Sequence, residues 1–110
     1  MNPDRVYLQH ILDAIERVER FLRGFTFATF APDEKTVAAT IRQLEIIGEA
    51  ANNLTKEFKQ AHPEILYRRM IDMRNVVIHE YFGVEEQTVW NTSQEDLPKL
   101  KQQIAKILEG

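Results

Sequence analysis

The chain contains no cysteine. That excludes disulfides, thiolate zinc sites and a cysteine nucleophile, and it fits a reducing compartment. Glycine and proline are scarce, four of each in 110 residues, which points to helices rather than to many tight turns. No apolar run approaches the roughly eighteen residues of a membrane span, and the opening MNPDRVYLQH lacks the apolar core of a secretion signal. A cytoplasmic location is therefore expected. A basic excess is missing too, since the net charge is −3. Proteins with a large nucleic-acid footprint are usually basic, so RNA would have to be met by a local or composite basic surface. The sequence has no H-E-x-x-H, no carboxylate cluster and no glycine-rich phosphate loop. With its three histidines far apart in sequence, no metal and no cofactor is expected.

What is present is 44% hydrophobic and 28% charged, the composition of a globular protein. A chain of this length can bury about 65% of its unfolded surface, enough for one core and one domain over residues 1–110. The helical period dominates. Asn2-Pro3-Asp4 reads as a helix start, with Asn2 as N-cap and Asp4 near the positive end of the dipole. Leu8, Ile11, Ile15, Val18 and Leu22 follow at steps of three and four, and Gly24 ends that helix. Residues 25–33, FTFATFAPD, read as a loop or short turn over one end of the core. Asp33 caps a second long helix whose seam is Val37, Ile41, Leu44, Gly48 and Ala51, widened by Ile47 and Leu54. Its small residues Gly48, Ala50 and Ala51 invite close approach of another helix. Thr55 begins a short helix that stops before Pro63. A third long helix is expected from about Glu64 to about Tyr81, closed by Gly83. A fourth covers EEQTVWNTSQ and restarts or kinks at Asp96-Leu97-Pro98, because proline is tolerated only in a first turn. Leu97, Leu100, Ile104 and Ile107 complete the pattern. The expected fold is an all-α, up-and-down bundle of four or five helices.

Residues 74–83, RNVVIHEYFG, mix polar groups with apolar ones in a way a core helix does not need. On a wheel at about 100° per residue, Tyr67, Met70, Ile71, Val77, Ile78 and Tyr81 share the side of Arg74, while Arg68, Asp72, Asn75 and His79 form a polar stripe. A buried arginine without partners costs several kcal/mol. Arg74 is therefore either paired, with Glu45 and Glu49 of the second helix as candidates, or it faces a cleft. His79, near a helix C-terminus, either satisfies the dipole or does acid–base work. His10 and His62 read as structural, and Trp90 and the phenylalanines as core. In a regular helix Arg74 and His79 point about 140° apart. They serve one reacting centre only if the helix end unwinds, if the arginine curls round the flank, or if a second chain supplies one of them.

The run Arg74-x4-His79-x-Tyr81 resembles the R-x4-H-x-Y motif of the HepT family, within the HEPN superfamily of small helical ribonucleases. The segments DRVYLQHILDAIERVERFL, IRQLEIIGEAANNLTKEF, HPEI, MRNVVIHEYFGV, TVW and DLPKLKQQI are similar to that family in the same order. The resemblance implies a HEPN-like bundle, a homodimer with paired motifs lining a shared cleft, and metal-independent RNA cleavage by Arg74 and His79. It implies a toxin of a toxin–antitoxin pair, whose partner is an MntA-type nucleotidyltransferase that transfers AMP onto Tyr81. Asn75 and Tyr81 would touch substrate. The chain departs from the family pattern at Leu66-Tyr67, where many members have Pro-Trp, and Glu80 places a negative charge beside His79. Local help for RNA would come from Lys56, Lys59, Arg68 and Arg69. Two other functions compete: a non-catalytic dimer that serves as binding module or substrate for the nucleotidyltransferase, and a structural dimer in which Arg74 sits in an ion pair.

Overall fold

The computed structural model describes residues 3–65, 67–72 and 86–110. Among them every regular element is helical. The fold is an all-α bundle, as the periodicity predicts. Helix α1 spans Pro3–Leu22 and presents the expected stripe inward, with Leu8, Ile11, Ile15 and Val18 each at most 2% exposed. Burying each such side chain contributes about 1.5–3 kcal/mol. The Asn2 cap lies outside the described residues. Asp4 does more than meet a dipole. It is buried, and its carboxylate accepts from the Thr55 backbone N–H at 2.8 Å and the Thr55 hydroxyl at 2.7 Å. Thr55 Oγ1 in turn accepts from Phe58 N, capping helix α4, Lys56–Ala61. One threonine thus ties the start of α4 to the start of α1. Thr55→Val should lower stability by about 1–2 kcal/mol, read from urea unfolding, through the lost cap and the lost hydroxyl donor to a buried carboxylate.

Gly24 ends α1 at φ +83°, and no atom lies within 4 Å of where its Cβ would stand. Gly24→Ala should therefore cost about 1–2 kcal/mol of pure backbone strain. Residues 25–33 contain a short helix, α2, Phe27–Phe30, set by a Thr26–Thr29 capping box. It carries Phe30 fully into the core, where its ring meets Trp90 at 5.2 Å.

Asp33 caps helix α3, Glu34–Asn52, by accepting from Thr36 N at 3.1 Å. α3 packs chiefly on α1. Leu44, Ile47, Gly48, Ala51 and Leu54 are buried as expected, but the buried face extends to Thr40, Gln43 and Ala50, whereas Val37 and Ile41 are only partly buried. Thr40 tolerates this because its hydroxyl donates to Thr36 O, and Gln43 Oε1 accepts from Arg17 at 3.4 Å.

Residues 67–72 are helical and form the described part of α5. The remainder of the expected helix to Tyr81, with Gly83, lies outside the described residues. Helix α6, Glu86–Asn91, runs through a π turn, Thr92–Asp96, into α7, Leu97–Glu109. The α-helix restarts at Leu97, as expected, and it does so out of a π turn. The widened turn keeps the ladder going, with Leu97 N–H reaching Thr92 O, and Pro98, which has no N–H to contribute, falls in the first turn of α7. Leu97, Leu100 and Ile104 are buried as expected. No described helix is long and apolar enough to cross a membrane.

Candidate functional site

The described turn of α5 fixes the helical phase just before the motif. Met70 is 1% exposed, and Tyr67 and Ile71 pack against the core. On the opposite side Arg68 and Asp72 are exposed and pair at 3.4 Å. This is the division the wheel predicts for residues 67–72. Arg74, Asn75, His79 and Tyr81 themselves lie outside the described residues, as does Glu80. Of the two carboxylates considered for Arg74, Glu45 accepts from Arg42 on its own helix at 3.1 Å, and Glu49 is exposed.

The other histidines have structural surroundings. His10 is exposed and meets Tyr7 edge-on. His62 lies against Phe58, with ring centroids 4.7 Å apart, and its Nδ1 is 3.3 Å from Glu64 Oε2. The backbone N–H of Glu64 is the main influence holding that carboxyl below its usual range, and His62 adds to it. Among the described residues no group of three or more histidines and carboxylates is placed to hold a metal.

Two features escaped the sequence reading. The Tyr67 hydroxyl is buried with no hydrogen-bond partner among the described residues. Burial, reinforced by the negative charges of Glu64 and Asp4, drives its ionisation far above the usual phenol range, so it stays neutral and its proton is not available near neutral pH. Nothing in the sequence distinguishes this tyrosine from a core aromatic. The Asp4–Thr55 clamp did leave a signal, because Asp4 continues the stripe of Leu8 and Ile11 at helical spacing and so had to be buried.

Two ion pairs and one charge-assisted hydrogen bond join the described helices. Arg69 Nε donates to Asp96 Oδ2 at 2.8 Å, joining α5 to the π turn. Lys101 pairs with Glu19 at 2.8 Å between α7 and α1, and Arg5 donates to Leu108 O at 2.8 Å, a cation at the negative end of α7. Along α7, facing residues 62–70, lie two adjoining depressions of about 220 and 550 Å³.

The family described as Ribonuclease HepT-like matches residues 11–107. A protein of Thermococcus cleftensis named "Probable ribonuclease HepT" is 48% identical over 101 residues, covering 92% of each chain. A Caldanaerobacter subterraneus protein named as a candidate RNase is 39% identical, over 99% of this chain and 97% of its own. In Methanocaldococcus jannaschii, a longer protein named as a gamma-glutamylcyclotransferase and candidate RNase is 39% identical over 96% of this chain but only 47% of its own length. No solved structure matches at a significant level. An all-helical bundle, the Arg74-x4-His79-x-Tyr81 run and a match over nearly the whole length place this chain in the HepT-like ribonuclease family.

Proposed function

We propose that the chain is a metal-independent RNA endonuclease, the toxin of a toxin–antitoxin pair, acting as a cytoplasmic homodimer. In this reading a partner nucleotidyltransferase of the MntA type silences it by transferring AMP to Tyr81. The observation that carries the proposal is the Arg74-x4-His79-x-Tyr81 run inside a full-length family match. The phase of α5 supports it, because the buried Met70 and the exposed Arg68–Asp72 pair divide residues 67–72 as the wheel does. The whole chain is read as one HEPN-like domain over residues 1–110. The Methanocaldococcus relative supports that reading, since the matching stretch there is about half of a longer protein.

The chemistry follows from the side chains. The 2′-hydroxyl of RNA attacks the adjacent phosphorus and the 5′-oxygen leaves, so one proton must be taken and one returned. His79 does acid–base work near neutral pH. Arg74 stays charged and forks onto the phosphate oxygens as the phosphorane forms. Asn75 orients substrate, and Tyr81 hydrogen-bonds a phosphate or stacks on a base. In silencing, the Tyr81 phenol oxygen attacks the α-phosphorus of ATP, loses its proton and releases pyrophosphate. The added nucleotide brings bulk and negative charge where RNA must sit.

The test has two arms. RNA is digested with a chelator present, and cleavage is expected. The chain is then incubated with the partner nucleotidyltransferase and ATP, and the mass of one AMP on Tyr81, with loss of cleavage, is expected. A second reading, a non-catalytic dimer that is only the partner's substrate, is favoured by the net charge of −3 and by Glu80. Modification of Tyr81 without any RNA cleavage before it would select that reading.

A further inference from the structure

The two depressions along α7 share Glu64 and Gln103 and so form one groove. Lys99, Gln103 and Lys106 of α7 follow one another at spacings of four and three, which stacks them on one helical face, and His62 and Arg69 line the facing wall. We infer that this groove is a track for the phosphate backbone of single-stranded RNA. The inference rests on the ribonuclease reading.

Its charge is the first reason. The chain carries a net −3, yet in this groove Arg69, Lys99 and Lys106 outnumber the carboxylates Glu64 and Asp96. Asp96 is engaged by Arg69, which leaves Lys99 and Lys106 against Glu64, itself 3.3 Å from His62 Nδ1. Lys99 and Lys106 are exposed and, about 10.5 Å apart along the helix, meet separate phosphates. The Arg69 side chain is 60% exposed even though Asp96 fixes its Nε, which leaves an oriented guanidinium facing solvent. The second reason is the ring at the groove's end. His62 lies against Phe58 and borders the groove. Cations with a ring surface at one end suit a single strand, whose bases stack while its backbone is neutralised. An acidic protein surface would need only the charges. Along the chain, α5 carries Arg69 five residues ahead of Arg74.

The experiment measures binding of a fluorescein-labelled single-stranded RNA by anisotropy across a salt series. The His79→Ala chain is used so that the RNA stays intact. Adding Lys99→Gln and Lys106→Gln should raise Kd about 5–10-fold at low salt and reduce the salt slope by about 1.4, the value for two phosphate contacts on a single strand. A control loses two cations outside the groove, Arg20→Gln with Lys35→Gln, and should leave the slope in place. An unchanged slope in the groove variant overturns the track, and so does an equal loss in the control. Unchanged RNA binding with loss of binding to the nucleotidyltransferase would overturn it in favour of a protein partner. If the wild-type chain cleaves RNA while the groove variant binds as before, the track alone has failed. If the wild type neither binds nor cleaves, the ribonuclease reading has failed with it.

Discussion

Replacing His79 by alanine is expected to slow RNA cleavage by about 10²–10⁴-fold, with a chelator present throughout. The imidazole is the only group in the motif that exchanges a proton readily near neutral pH, so the residual activity should also lose its dependence on pH between about 5 and 8. Arg74→Ala is expected to cost about 10²–10³-fold by removing charge from the phosphorane. Arg74→Lys should restore little of this, because an ammonium cannot form the paired bonds of a guanidinium. Thermal melts of each variant separate a chemical loss from a folding loss. Equal cleavage by all of them would remove the proposed site. The 140° separation on a regular helix adds a sharper test. If one subunit supplies Arg74 and the other His79, mixing the Arg74→Ala and His79→Ala chains should restore roughly a quarter of wild-type activity, since half the dimers are mixed and each holds one whole site. No recovery on mixing would mean that both groups act from the same chain.

Phe30→Ala should have the largest effect on stability, about 3–5 kcal/mol. The ring is fully buried and packs against Trp90 at 5.2 Å with the planes tilted by 44°. It is held there by a one-turn helix whose start is set by the Thr26–Thr29 capping box, too short to slide inward and refill the space. A chain of this size has only about 5–15 kcal/mol of stability in total, so the loss should shift the melting temperature by more than about 10 °C. Trp90 fluorescence reports the transition directly. Phe27, only partly buried and farther from Trp90 at 6.4 Å, should cost distinctly less when truncated. Equal losses at the two positions would show that Phe30 is not the anchor of that end.

Where a helix has one apolar stripe and a defined cap, the sequence was sufficient. α1 buries the residues its spacing names, α7 buries Leu97, Leu100 and Ile104 and partly buries Ile107, and Asp33 and Thr55 cap where they were expected. It missed what polar groups arrange among themselves. On α3 Thr40 and Gln43 are buried with hydrogen bonds to Thr36 and Arg17, which no hydropathy pattern encodes. Ahead of Pro98 the ladder widens into a π turn before α7 restarts, and no residue pattern names that turn. The candidate site was legible in a different way. An arginine on the apolar side of a helix says that a partner is needed, but not which one. The order of six segments shared with a known family narrowed the choice to RNA, and the residues concerned, 74–81, lie outside those described.

The pair between Arg69 and Asp96 has a topological consequence. Asp72 closes the described turn that carries Arg69, and Glu86 opens the helical run that reaches Asp96. The pair therefore couples two positions 27 apart in sequence. The cost of closing a loop grows only slowly with its length, so a single guanidinium on a carboxylate brings the described turn of α5 and the π turn together at little entropic expense.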